Sequence, residues 1–214
     1  METKTTKRLL WSLGACAFLA AGLLLYSPHQ AQAEIKGSAH DFSPLGWSGG
    51  EICKPCHTPH FANTTVPDAP LWNHGVTNAT FTVYSSPTLQ ASVGQPGGVS
   101  KLCLSCHDGT VAVDSFGGTM GSVMIGNRSN VGTELGDDHP VSFTYDAVLA
   151  TNDGELYDPT SATTALGGTV QEDLLLDDKM ECSSCHDVHN KYPNPKLLVI
   201  DNVGSSLCLT CHNK

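Results

Sequence analysis

CKPCHTPH at 53–60 and CSSCHDVH at 182–189 are two copies of one eight-residue pattern, and LCLSCH at 102–107 and LCLTCH at 207–212 follow them. All four stretches contain the spacing Cys-x-x-Cys-His. Together they use eight of the nine cysteines of the 214-residue chain. Because the pattern with a second histidine is followed each time by the Leu-Cys-Leu pattern, the sequence predicts two related units, at 53–107 and 182–212.

Three interpretations account for cysteine pairs of this spacing. Eight cysteines in an exported chain can form four disulfides, and two Cys-x-x-Cys pairs can bind zinc. The third is covalent attachment of haem c, in which both thiols bond to the haem and the next histidine ligates iron. Of the three interpretations, only haem attachment requires a histidine directly after every cysteine pair. The chain has only 10 histidines in 214 residues, and yet a histidine follows each of the four pairs. We therefore predict four haem c groups. The predicted thioether residues are Cys53, Cys56, Cys103, Cys106, Cys182, Cys185, Cys208 and Cys211, and the proximal iron ligands are His57, His107, His186 and His212.

Five further histidines follow residue 33, and they are candidates for the four remaining axial positions. The predicted distal ligands are His40, His60, His139 and His189, with His74 as the less certain or spare one. His60 and His189 each lie three residues after a motif histidine, too close to reach the far face of the same haem, so each is expected to serve a neighbouring one. Met120, Met124 and Met180 are the competing ligands and would raise the potential. Four irons with two histidines each leave no open position for a substrate, which predicts an electron carrier and not an enzyme.

The first 33 residues resemble a secretory leader. Basic Lys4, Lys7 and Arg8 precede an apolar run at 9–26, and Ala31-Gln32-Ala33 is a small-residue cleavage site. The alternatives are a retained membrane anchor over 9–26 and a lipoprotein signal at Cys16. Cleavage predicts a secreted tetrahaem domain at 34–214 without an integral membrane segment. Its expected location is extracellular or at the cell surface, with the periplasm as the alternative.

The composition predicts a loop-rich fold. The chain has 21 glycines and 12 prolines, and its apolar runs are short. We expect short helices around the motifs, with Ser100 and Ser205-Ser206 as N-caps, and a core built from four stacked haems. The cysteine-free segment at 108–180 is expected to hold short strands and turns, near Val111 and Val113 and again at 141–145.

The charge restricts the partners. A net charge of −10 disfavours nucleic acid and anionic membranes, and it favours basic proteins, cations or metal-oxide surfaces, although solubility alone also explains it. Three Asn-x-Ser/Thr sequons, which chance explains as well as glycosylation does, stand at Asn63, Asn78 and Asn127.

These motifs resemble those of the doubled Cys-x-x-Cys-His family of multihaem cytochromes. The resemblance runs through 52–60, PLWN at 70–73, LCLSCHDGT at 102–110, DHPVSF at 138–143 and 182–209. Tetrahaem chains of this kind are similar to extracellular cytochromes that polymerise into filaments. The resemblance implies a stacked chain of haems that continues into the next subunit, where one iron takes a histidine from its neighbour. It also implies other redox proteins or extracellular electron acceptors as partners.

Two other functions stay open. A membrane-anchored tetrahaem quinol dehydrogenase would use an uncleaved helix at 9–26. A small multihaem reductase would need one haem with a vacant axial position.

Overall fold

The computed structural model describes residues 34–67 and 69–214, so the predicted leader lies outside the described part. The chain there is mostly loops and turns, which confirms the loop-rich fold that the composition predicts. Four α-helices are short: α1 (Gly98–His107), α2 (Ala147–Asp153), α3 (Val170–Leu174) and α4 (Ser206–Cys211). The 3-10 turns span Gly46–Ser48, Cys182–Ser184, Pro195–Leu197 and Val203–Ser205.

The strands are two residues long and form two small ribbons. β1 (Thr82–Val83) pairs in parallel with β2 (Glu134–Leu135), and β3 (Phe143–Thr144) pairs antiparallel with β4 (Lys179–Met180). The second ribbon brings the strand predicted near 141–145 next to the residues that lead into Cys182. The strand predicted at Val111 and Val113 is wrong, because the chain turns there and the Asp114 carboxylate accepts the amides of Ser122 and Val123.

Side chains build a larger core than the sequence indicates. Ten buried residues from the cysteine-free segment and the C-terminal part pack together, with Tyr145 and Val170 among the most enclosed. A second, smaller cluster joins Phe81, Leu104 of α1 and Leu135 of β2. The first cluster includes Cys211, so side-chain packing reaches the fourth motif directly. Its buried members are Phe143, Tyr145, Leu149, Ala150, Val170, Leu174, Met180, Val199, Ile200 and Cys211.

The helix predicted before the second motif begins earlier than expected. Ser100 lies inside α1, whose N-cap is Gly97, so the predicted cap at Ser100 is wrong. Of the predicted pair Ser205-Ser206, Ser205 is the N-cap of α4, although its side chain accepts no capping hydrogen bond, and Ser206 is the first residue of the helix. Within 34–67 and 69–214, helices long and apolar enough to cross a bilayer are absent.

Candidate haem-binding sites

Each motif is folded into a single helical turn. The amide of His57 donates to the carbonyl of Cys53 (2.8 Å), and His186 and His212 make the same bond to Cys182 and Cys208 (3.0 Å each). The second motif forms the last turn of α1, which ends at His107. A turn of this kind puts the two thiols and the imidazole of each motif on one side of the backbone. The spacing therefore produces the same local geometry at all four places.

The two copies of the eight-residue pattern, at 53–60 and 182–189, also make equivalent tertiary contacts. After each motif histidine, a returning segment forms an isolated β-bridge with it, His57 with Trp72 and His186 with Leu198. The residue before each bridge, Leu71 or Leu197, has a positive φ, of 52° and 58°. Two backbone hydrogen bonds repeat as well. The bond from Thr58 N to Leu71 O (2.9 Å) corresponds to the bond from Asp187 N to Leu197 O (2.7 Å). The bond from Asn73 N to Cys56 O corresponds to the bond from Val199 N to Cys185 O (2.9 Å each).

Backbone carbonyls fix the orientation of three motif imidazoles. Nδ1 lies 2.7 Å from Pro70 O in His57, 2.8 Å from Ser129 O in His107 and 3.0 Å from Lys196 O in His186. Since a carbonyl oxygen only accepts, Nδ1 carries the proton and donates it. Nε2 is then left with a free lone pair. Histidines that ligate metals in proteins are held in this way.

His212 is held differently. Among the described residues its ring nitrogens have no carbonyl partner, and the side chain is partly buried beside His139. Burial lowers the pKa of His212, and the nearby charges of His139 and Lys214 lower it further, against a smaller opposing effect of Asp153 and Glu155. The neutral imidazole, which is the metal-binding form, is therefore favoured.

Three motif histidines face a second imidazole at nearly the same separation. The ring centres are 6.2 Å apart for His57 and His189, 6.0 Å for His107 and His40, and 6.3 Å for His212 and His139. Two imidazole nitrogens that each bind one iron at about 2 Å place their ring centres about 6 Å apart. Each pair therefore has the spacing that fits one iron between its rings.

The distal candidate His40 has properties of an uncharged ligand. Burial lowers its pKa to about 4, and the charges of His107, His186 and His189 contribute to the shift. Its Nδ1 is buried without a hydrogen-bond partner among the described residues. An unpartnered buried nitrogen is unusual in a protein interior, and it fits a ring whose surroundings are completed by a bound group.

The structure does not bring the remaining candidates together. Among the described residues, no imidazole faces His186 at the distance seen in the three pairs. His60 is exposed on the surface, and its ring makes no hydrogen bond in the described part. His74 is buried, with Nδ1 2.7 Å from Gly75 O, Nε2 3.1 Å from Ala112 O and Cys106 Sγ 3.4 Å from Nε2. Its nitrogens therefore face the protein, whereas those of His60 face solvent.

The eight described cysteines are all free thiols, which leaves them available for thioether bonds. The described residues also contain no group of three or more His, Cys, Asp or Glu side chains arranged to hold a metal ion directly, as a zinc site would need.

The competing methionine ligands differ in burial. Met180 is buried in the larger core cluster, whereas Met120 and Met124 are exposed.

Successive motifs adjoin one another in space. The neighbouring Cys182 thiol, together with burial, raises the pKa of Cys103. Burial raises the pKa of Cys106 to about 12, and the charge of Cys56 adds to the effect. Burial likewise raises the pKa of Cys185, with further contributions from Cys182 and Cys208. The first motif therefore lies near the second, the second near the third, and the third near the fourth.

A paired CXXCH domain is present at residues 176–214, where the chain matches the family model described as the doubled CXXCH motif. The match includes the third and fourth motifs and supports a multihaem c-type cytochrome with covalently bound haem c that transfers electrons. No curated protein matches the chain.

Spacing alone identifies the motif residues, but it does not predict which backbone carbonyls orient the imidazoles. Those of Pro70, Ser129 and Lys196 come from segments 10 to 22 residues away from the histidines that they hold.

Proposed function

We propose that this protein is an extracellular or cell-surface electron conduit in which four haem c groups, one per motif, form a continuous stacked chain. Haem iron supplies the chemistry by cycling between the ferrous and ferric states. The observation that carries the proposal is the set of three imidazole pairs with ring centres 6.0–6.3 Å apart. Occupation of both axial positions favours electron transfer over substrate turnover, since a catalytic metal keeps one position open.

The order of the motifs in space supports a single path through the four groups. The thiols of consecutive motifs are near neighbours, as Cys103 and Cys182 illustrate. His189 of the third motif region faces His57 of the first, with 6.2 Å between the ring centres and 14° between the ring planes. Each of these contacts joins segments that belong to different motifs. The chain therefore has little freedom to separate the attachment sites, and this keeps electron-transfer distances short.

Within this proposal the protein assembles into a polymer through a shared ligand. His186 has an oriented ring without a facing imidazole in the described residues, and His60 is exposed with free ring nitrogens. His60 of one copy is suited to complete the site of His186 in the next copy. Such a contact is heterologous and does not close on itself, so it generates a filament. External acceptors or other redox proteins would exchange electrons with this filament.

A reductase is the second candidate, and it is favoured by the absence of an imidazole facing His186 among the described residues. If no second histidine reaches His186, its iron keeps an open position that a small substrate could occupy. The two functions differ in what His60 does. In the conduit it is a ligand supplied by another copy, and in the reductase it is an ordinary surface residue.

The equivalent positions of the two units provide a matched test. We expect the secreted wild-type protein to have the mass of the polypeptide plus four haems and a wholly low-spin spectrum when assembled. His189→Ala should give one high-spin haem at every protein concentration, because His189 faces His57 within the same copy. His60→Ala should prevent assembly and leave one high-spin haem.

The outcomes separate the candidates. A His60→Ala protein that assembles and stays low-spin would contradict the shared ligand. A high-spin haem in the assembled wild type would support the reductase. A mass short of four haems would overturn the tetrahaem proposal itself.

A further inference from the structure

Glu181 is a buried carboxylate at the junction of the second and third motifs. It directly precedes Cys182, and only 3% of the residue is exposed. Its Oε2 accepts hydrogen bonds from the amide of Ser100 (3.1 Å), from the hydroxyl of Ser100 and from the hydroxyl of Ser142 (3.0 Å). Three donors converge on one oxygen, an arrangement that suits a carboxylate, which in its ionised form only accepts hydrogen bonds.

This carboxylate caps the helix that carries the second motif. Gly97, the N-cap of α1, has no side chain to bond the first amides, and Glu181 satisfies the Ser100 amide from 81 residues away. The positive end of the helix dipole adds to the attraction. Gly98 has a φ of +46°, and a Cβ there would lie 3.0 Å from Oε1 of Glu181. Glycine therefore permits both the backbone conformation and the close approach of the carboxylate.

The same group connects the two attachment sites. The amide of Cys182 donates to the hydroxyl of Ser100 (2.9 Å), so Ser100 contacts both Glu181 and the third motif. The thiols of Cys103 and Cys182, whose sulfur atoms occupy the positions of the thioether sulfurs, interact with each other beside it. The negative charge of Glu181 acts on both of these sulfurs. A charge placed there acts on the second and third haem sites together.

We propose that Glu181 is a positioning and tuning residue, whose buried charge lowers the reduction potentials of the second and third haems while its hydrogen bonds hold their attachment sites together. This inference rests on the proposed electron-transfer function. Ferric haem carries one more positive charge than ferrous haem, so a nearby anion stabilises the ferric state. The effect is strong in a buried site because the local dielectric constant is low.

Glu181→Gln tests the charge with little change in shape. The amide oxygen can accept the same bonds from Ser100 and Ser142, while the negative charge is lost. The control is Glu51→Gln, because Glu51 precedes Cys53 by two residues but is exposed. In a redox titration followed optically, Glu181→Gln should shift the mean midpoint potential to more positive values. Glu51→Gln should stay near the wild type, because solvent and salt screen an exposed charge.

Ser142→Ala separates tuning from a purely structural role. Removal of the Ser142 hydroxyl leaves the carboxylate charged and less compensated, so the potential should shift to more negative values, opposite to Glu181→Gln. An unshifted Glu181→Gln protein, or shifts of the same sign in both variants, would overturn the inference. Haem content measured on the same samples distinguishes this failure from a failure of the proposed function, since the inference can fail with all four haems bound.

Discussion

Leu71 and Leu197 adopt a backbone conformation that leucine avoids. Their φ angles of 52° and 58° lie in the left-handed region, which costs an L-residue about 1 kcal/mol. In both units this turn follows the carbonyl that accepts Nδ1 of the motif histidine, at Pro70 and Lys196. The same strained residue occurs twice at the same place. In both copies the turn aims the carbonyl at the imidazole.

Substitution of Leu71 by asparagine should relieve this strain. Asparagine tolerates the left-handed region, and Leu71 is 56% exposed, so little apolar burial is lost. Leu71→Asn should raise the free energy of unfolding by up to about 1 kcal/mol relative to Leu176→Asn. Leu176 is the control because it is also exposed (48%) but does not have a positive φ. Equal stabilities in denaturant titrations would show that the turn is not strained by its side chain.

At the scale of elements, sequence spacing predicts the structures that local interactions determine. The motif turns follow from contacts between residues four apart, and the strand near Phe143 follows from alternation. The start of α1 cannot be predicted from local sequence, because the carboxylate that caps it belongs to Glu181, in a distant segment of the chain. The pairing of His40 with His107 is equally invisible in the sequence, since the two histidines lie 67 positions apart in the chain. Local signals thus give the motifs, and long-range packing gives the sites.

The helix α2 offers a direct test of how the cysteine-free segment stabilises the molecule. Asp146 is its N-cap and accepts the amide of Leu149 (2.8 Å), while Leu149 and Ala150 pack into the larger core cluster. Asp146→Ala should lower the free energy of unfolding by about 1 kcal/mol, because the amide loses its partner. Asp146→Asn keeps the acceptor and should cost far less. Denaturant titrations followed by circular dichroism measure both, and equal losses would exclude the capping explanation.

At the scale of the whole molecule, a small side-chain core supports closely spaced attachment sites. The larger cluster includes Cys211 and also Met180 of β4, the strand that leads through Glu181 into the third motif. The third and fourth motifs therefore adjoin the same packed cluster. The surface of the molecule is acidic, because 21 acidic side chains outnumber 11 basic ones. Interior geometry would then govern transfer between haems, while surface charge governs exchange with partners.

The surface charge predicts opposite salt responses for acceptors of opposite sign. A net charge of −10 attracts a small cationic acceptor and repels an anionic one, and dissolved salt screens both effects. Raising the ionic strength should slow oxidation of the reduced protein by the cation, by about tenfold across the accessible range, and should speed oxidation by the anion. Stopped-flow measurements with two metal complexes of similar potential and opposite charge provide the comparison, and each complex controls for the other. Rates that do not respond to salt with either complex would mean that electrons leave through a neutral part of the surface, away from the acidic side chains.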